Sequence, residues 1–322
     1  MNRKTFWRCL ILVFTLIFAV TSLAAANGQD EKSLDEKVVE ALRRGWWLKF
    51  YEGEIMHDKN IYNILLLGSD RKAWDTDVGR ADTTMLCSLN MKTGEIKLIS
   101  FERGIFVPIP GYPDGVLLTY AYTLGGPELS VSLIKNLFHI EVDGYAHVDF
   151  ESFPTIVDLL GGVDIELTGI EASALNGESY SNAWTENKVY EGWNHLNGND
   201  ALAYCRLRFT DDDWFRQERQ RKVLDACKKQ VKELGAIELA NLIRKIVPLV
   251  DTDIGAGDIA KLSVHALKFA HGGLSTMQVP DVNIANHVIQ CFSDYESQKI
   301  SNFLYGTDYE LESPYYKYYD EE

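Results

Sequence analysis

The chain begins with one long apolar run and then alternates short strand-like apolar stretches with longer amphipathic ones. Arg3, Lys4 and Arg8 precede apolar positions from Cys9 to Val20, which continue through Thr21-Ser22-Leu23 to Ala24-Ala25-Ala26. Basic residues ahead of such a run predict an export segment whose N-terminus stays cytoplasmic. Phe6 to Ala26 is long enough to cross a bilayer, while the three alanines resemble a small-residue cleavage site. The pattern favours an uncleaved anchor, with a cleaved signal peptide as the alternative; either way the remainder lies outside the cytoplasm. Residues 27–45 read as a charged helical stalk carrying Leu34, Val38, Val39 and Leu42. Trp46-Trp47, Phe50 and Tyr51 follow, placed at the lipid interface or packed on the domain.

Continuous apolar runs at Ile61–Leu67 and Thr83–Leu89 have strand length, and Glu95–Phe101 alternates as a third strand after a turn at residues 91–94. Gly125-Gly126-Pro127 predicts the opening of a helix that buries Leu129, Leu133 and Leu137. Tyr145–Phe150 reads as a strand, Phe153–Leu160 as a helix stopped by Gly161-Gly162, and Val163–Leu167 as a strand. Residues 168–192 read as a polar insertion, with Tyr180, Trp184 and Tyr190 in it. A long amphipathic helix is expected from about Trp214 to Leu234, then helices near 237–250 and 257–270 and a strand near Thr276–Val279. Tyr315–Glu322 is a polar aromatic tail. This order predicts an α/β chain: a single layered domain with a mixed central β-sheet flanked by helices.

Charge changes the picture. The chain carries a formal charge of −15 over 322 residues, which argues against a nucleic-acid partner. Eight of its 13 arginines nevertheless fall in four short clusters beside acidic residues: Asp70-Arg71, Arg80-Ala81-Asp82, Glu102-Arg103, and Arg206-Leu207-Arg208 with Arg216, Arg219 and Arg221. No arginine lies between Gly104 and Cys205, where 14 Asp and Glu occur. Guanidinium groups gathered in an acidic chain point to an anion pocket, because their planar fork matches phosphate bidentately. The bland alternative is a set of surface ion pairs. The five cysteines match no metal spacing and no disulfide framework; buried free thiols are expected, with a Cys227–Cys291 bridge left open. His139, His147 and His195 read as packing or turn residues.

Strands 83–89 and 95–101 are joined by a short turn, hence antiparallel, which brings Asp82 near Arg103. The link of about fifteen residues from the first strand to the second contains no clear helix, which favours antiparallel neighbours there too. Asp70, Arg71, Arg80, Asp82 and Arg103 are then expected at one end of the sheet. If Tyr204–Phe209 is extended, Arg206 and Arg208 share a face. Arg216, Arg219 and Gln220, spaced i, i+3, i+4, share a helix face in the first turns, where a bound anion would complement the dipole. Two carboxylates among guanidiniums suggest a divalent ion held by Asp70 and Asp82. No Walker-type loop and no serine or cysteine nucleophile motif is present.

These motifs resemble the LytR-CpsA-Psr family of bacterial cell-envelope proteins, over roughly Asn63 to Leu234. The resemblance rests on Asn63–Arg71, Arg80-Ala81-Asp82-Thr83, Leu98–Arg103, Tyr120-Ala121-Tyr122 through Gly125-Gly126-Pro127-Glu128, and Asp158–Val163. It continues through His195–Gly198, Ala201–Arg208, and Asp213 through Arg216, Arg219 and Gln220. Membership implies a membrane-anchored protein with its domain on the outer face. It further implies transfer of a glycopolymer phosphate from a polyprenyl-pyrophosphate carrier to a peptidoglycan hydroxyl. By match, Asp70 and Asp82 would hold Mg²⁺ (or Mn²⁺) and serve catalysis with Arg103. Arg80, Arg103, Arg206, Arg208, Arg216, Arg219 and Gln220 would bind the pyrophosphate. The implied segmentation is a leader at 1–26, a stalk or linker at 27–58, the catalytic domain at 59–280 and a C-terminal extension at 281–322.

Three positions depart from the family pattern. Gly104 stands where an acidic residue usually follows the arginine, Val116–Thr119 replaces a Lys/Arg-Leu/Ile-Asn run, and Phe215 replaces a glycine. Glu102 could substitute for the missing acid, although in a strand it would face the opposite way. Two alternatives to a transferase therefore stand: a non-catalytic binder of lipid-linked pyrophosphate, and a hydrolase in which water replaces the acceptor hydroxyl.

Overall fold

The computed structural model describes residues 54–70, 79–109, 112–179, 181–208, 213–233, 238, 241–242, 245–280, 289–290 and 293–311. The leader, residues 27–53 of the stalk, Arg71, the Tyr315–Glu322 tail and Cys291 lie outside them. Among the described residues no helix is long and apolar enough to cross a membrane. These residues divide into two compact units: one formed by 54–92, 96–147 and 275–311, the other by 93–95 and 148–274.

The first unit is built on strands β1 (Ile61–Ser69), β2 (Ala81–Asn90), β3 (Ile96–Phe101), β6 (Gly144–Asp149) and β10 (Leu274–Val279), in the order β10-β3-β2-β1-β6. β2 is antiparallel to both β1 and β3, as the short connections require. β1 is buried along most of its length, which explains an apolar run without alternation. A second sheet places β4 (Ile105–Ile109) between β5 (Tyr112–Leu117), antiparallel to it, and β11 (Ile289–Gln290), parallel to it. The sequence pattern predicts no element over 105–117, so both β4 and β5 are additions from the structure.

Helix α1 spans Leu118–Phe138, so helical backbone begins before the expected start at Gly125. The glycines are a kink: Gly126 has φ 64°, and a regular turn resumes at Pro127. That positive φ explains why the break falls on glycine. Leu129, Leu133 and Leu137 are buried with Leu65, Leu86, Ile99 and Tyr122, and Phe138 stacks on Phe101 at 5.1 Å. Each such aliphatic side chain contributes about 1.5–3 kcal/mol on burial. Ile300 and Leu304, on the helix Ser293–Tyr305, complete this core.

The second unit has its own core. β7 (Val163–Leu167) and β8 (Gly192–Leu196) form an antiparallel ribbon with a strict alternation on β7, its odd positions buried. Helices α2 (Ser152–Leu159), α3 (Gly169–Leu175), α4 (Gly198–Arg206) and α5 (Asp213–Glu233) accompany it. Val157, Ala174, Leu175, Ala201, Tyr204, Leu207 and Val223 pack with the inner face of the ribbon. The start of α4 comes so close to α2 that a Cβ on Gly198 would lie 2.0 Å from Pro154 O, so only glycine fits. The 168–192 segment is more ordered than a polar insertion: Thr168 and Glu171 form a reciprocal capping box that starts α3. The expected helix near 257–270 is two, α6 (Ala256–Ser263) and α7 (Ala266–His271).

Candidate functional site

Asp70 and Asp82 are placed by the pairing of β1 with β2. Their register runs from Ile61↔Asn90 to Gly68↔Thr83 and then slips, so that Ser69 faces Ala81. Beyond the slip Asp70 grips Arg80 twice. Its N–H donates to Arg80 O at 3.2 Å, and its Oδ1 accepts from Arg80 N at 2.6 Å. This arrangement leaves the Arg80 side chain exposed. On the other side of β2, Thr84 pairs with Phe101, so Asp82 stands beside the turn that leaves β3. There Arg103 Nη1 donates to Asp82 Oδ1 at 2.8 Å. The four residues Asp70, Arg80, Asp82 and Arg103 therefore meet at one end of the sheet, as the antiparallel argument expected.

Glu102 is not in a strand. β3 ends at Phe101, and Glu102 closes its own turn, with Ile105 N donating to Glu102 O at 3.2 Å and Gly104 N lying 3.4 Å from Glu102 Oε1. The facing argument against Glu102 therefore loses its premise. Among the described residues a Cβ at Gly104 would meet only Glu102 Oε1, at 3.7 Å, an ordinary contact.

Arg206 and Arg208 have a different geometry from the one the sequence suggested. Tyr204–Arg206 is not extended: α4 continues through Arg206, and Leu207 turns the chain out, at φ −53° and ψ 128°, while Phe209 lies outside the described residues. The shared-face argument for Arg206 and Arg208 fails accordingly. Asn197 caps α4 by accepting from Asp200 N at 2.8 Å, and Ala201, Tyr204 and Cys205 are buried at helical spacing, which makes helix the lower-energy choice. Asn182 brackets the bend, donating to Arg206 O at 3.0 Å and accepting from Arg208 N at 2.6 Å. Arg206 itself is exposed, its guanidinium 4.5 Å from the Phe150 ring centroid.

Arg216, Arg219 and Gln220 do share one face of α5, and all three are buried. Arg219 Nη2 donates to Leu207 O at 2.5 Å, while Nη1 lies 3.8 Å from Glu171 Oε1. Glu171, absent from the sequence candidates, thus joins the capping box to the buried guanidinium. The Thr168-x-x-Glu171 spacing was a legible signal for the cap; the pairing with Arg219 had none. Burial first, then the charge of Glu171, hold the Tyr204 phenol above its ordinary pKa. Burial likewise pushes the Cys205 thiol up to about 12, so it stays protonated at neutral pH and is no nucleophile. Cys87, Cys205 and Cys227 are free thiols.

The donor set at Asp70 and Asp82 fits a hard divalent cation: two carboxylates, each with one oxygen already oriented by a neighbouring donor. Among the described residues no group of three or more His, Cys, Asp or Glu could hold a metal on its own.

The chain resembles several known proteins. It is 25% identical over 268 residues to the polyisoprenyl-teichoic acid–peptidoglycan teichoic acid transferase TagU of Enterococcus faecalis, covering 82% of this chain and 83% of that one. The TagU of Oceanobacillus iheyensis is 30% identical over 240 residues, covering 70% and 69%. Among solved structures, TagT bound to LIIa-WTA superposes with a TM-score of 0.61 at 22% identity, over 78% of this chain and 94% of that one. The family protein YwtF (TagT) with bound octaprenyl pyrophosphate lipid gives 0.53 at 22% identity over the same shares, 78% and 94%. At that identity the likeness shows a common fold. The LytR_cpsA_psr family model matches residues 16–305, and the chain belongs to the LytR-CpsA-Psr family.

Proposed function

We propose that this protein is an extracytoplasmic phosphotransferase that moves a glycopolymer phosphate from a polyprenyl-pyrophosphate carrier to a hydroxyl of peptidoglycan. The observation that carries the reading is the meeting of Asp70, Arg80, Asp82 and Arg103 at one end of the sheet. The names of its relatives support it, since they are transferases of teichoic acid from a polyisoprenyl carrier to peptidoglycan.

In this reading the acceptor oxygen attacks the phosphorus that bears the polymer, and the bond to the polyprenyl phosphate breaks. A phosphodiester and a polyprenyl monophosphate result, and the hydroxyl proton is released. Asp70 and Asp82 would hold Mg²⁺ or Mn²⁺, which supplies charge neutralisation at the phosphate oxygens. Arg80, exposed and anchored through its backbone to Asp70, and Arg103, beside Asp82, orient the pyrophosphate and stabilise charge on its oxygens. Arg206, Arg208, Arg216, Arg219 and Gln220 are proposed as further donors to the pyrophosphate. Arg219 also serves Leu207 and Glu171. Residues 1–26 would anchor the chain, with the described domain on the outer face of the membrane.

Gly104 favours one second reading, a binder that retains lipid-linked pyrophosphate without turnover. The deciding experiment is a transfer assay with the full chain in detergent, a short polyprenyl-pyrophosphate-linked glycan, peptidoglycan oligomers, and Mg²⁺ with or without chelator. Metal-dependent phosphodiester product is expected. Bound carrier without product, using a donor and acceptor active with another family member, overturns the transferase in favour of the binder.

A further inference from the structure

The first turns of α1 are fastened to the strand ends that carry the acidic pair. Thr119 Oγ1 donates to Ala81 O at 2.9 Å, and Thr123 Oγ1 donates to Gly79 O at 2.7 Å. Ala81 and Gly79 are the two neighbours of Arg80, and Ala81 also precedes Asp82. Thr119, Tyr122 and Thr123 are spaced i, i+3, i+4 and so lie on one face of the helix. From that face Tyr122 Oη reaches His147 Nε2 at 3.0 Å. The same nitrogen is 2.8 Å from Ser69 Oγ, the residue before Asp70. Ser69 and Tyr122 are fully buried, His147 nearly so, and the Tyr122 ring leans on the imidazole with centroids 5.3 Å apart.

Two hydroxyls, from β1 and α1, thus converge on one ring nitrogen of His147 on β6, one residue from a candidate cation ligand. Apolar residues would fill this part of the core at no desolvation cost. Hydrogen bonds differ in being directional, and a buried network costs stability unless every member is satisfied. What they add is fixed position. We propose that Ser69, Tyr122 and His147, together with Thr119 and Thr123, are positioning residues that set the carboxylates of Asp70 and Asp82 relative to each other. They thereby set the affinity of the pair for a divalent cation. None of the five is asked to touch substrate, and the inference rests on the proposed cation-holding role of the two aspartates.

The test uses the full chain with Tyr122→Phe, His147→Leu and His147→Gln. Mn²⁺ affinity is read by electron paramagnetic resonance of the free ion, with kcat and KM for transfer and Tm measured alongside. Tyr122→Phe and His147→Leu are expected to weaken Mn²⁺ binding about tenfold, the lower end of what outer partners of a metal site contribute. They should lower kcat, with KM for the carrier changed less than about twofold. Glutamine at 147 returns an amide near the Nε2 position and should recover most of the Mn²⁺ affinity. If Tyr122→Phe, which removes a single oxygen and retains the fold, leaves Mn²⁺ affinity within about twofold while lowering only Tm, the network is structural and the inference is overturned. A wild-type chain that binds Mn²⁺ in the expected way but transfers nothing overturns the transferase reading and not this one. A wild-type chain that binds no Mn²⁺ overturns this one and leaves transfer to the activity assay.

Discussion

Arg103 Nη1 lies 2.8 Å from Asp82 Oδ1, so the guanidinium proposed to meet phosphate rests on a carboxylate proposed to hold the cation. Both side chains keep 30% and 28% of their exposure. A pair this exposed is worth about 0.2–1 kcal/mol, so exchanging the carboxylate for a phosphate oxygen costs little. Arg103→Ala should therefore leave Tm within about 3 °C of wild type while lowering kcat/KM by about 10²–10³. Arg103→Lys should recover only part of that, because lysine loses the planar fork. Thermal melts beside transfer kinetics check both.

Asp70→Asn separates charge from architecture. An asparagine Oδ1 can still accept from Arg80 N, where Asp70 Oδ1 now does at 2.6 Å. The variant should fold normally, lose Mn²⁺ affinity and lose transfer. Chelation of wild-type protein should abolish transfer, and added Mg²⁺ or Mn²⁺ should restore it. Full transfer in excess chelator sinks the cation assignment.

Gly104→Asp asks whether the missing acid limits the enzyme. Among the described residues the nearest contact to a Cβ there is at 3.7 Å, so Tm should change by only about 1–2 °C. If wild-type turnover is held back by this absence, kcat should rise in the variant; an unchanged or lower kcat means that the reaction needs no acid at 104.

Glu171→Gln tests a buried ion pair. Glu171 and the Arg219 guanidinium lie 3.8 Å apart with side chains 8% and 3% exposed. Removing one charge of a buried pair costs up to about 3–5 kcal/mol. Urea unfolding should show that loss. Arg206→Ala, which removes an exposed side chain, should cost less than about 1 kcal/mol by the same measurement.

Alkaline stability should depend on Cys205. Its thiol is raised from 9.0 to about 12 by burial. Between those values the unfolded chain releases a proton that the native state retains, so the native state loses stability as pH rises through the window. Below pH 9 the thiol contributes no pH dependence. Cys205→Ser should flatten the fall between pH 9 and 12 in denaturant titrations, and wild-type Cys205 should resist thiol reagents at pH 8 until the chain unfolds.

The sequence alone determined the acidic–basic end of the first sheet. Apolar runs of strand length and a four-residue turn fix antiparallel neighbours, and antiparallel register is local: it carried Asp82 to Arg103 and Asp70 to Arg80. The helix bearing Arg216, Arg219 and Gln220 was legible for the same reason, since its period lies within one segment. Tertiary structure decided the rest. Tyr204–Arg206 could be read as strand or helix until the Asn197 cap and burial on the second core chose helix. Glu171 meets Arg219 from 48 positions away, and Ser69, Tyr122 and His147 meet from three different elements. Such contacts are set by how faces pack rather than by periodicity, and a buried polar group finds its partner only once the chain has closed around it.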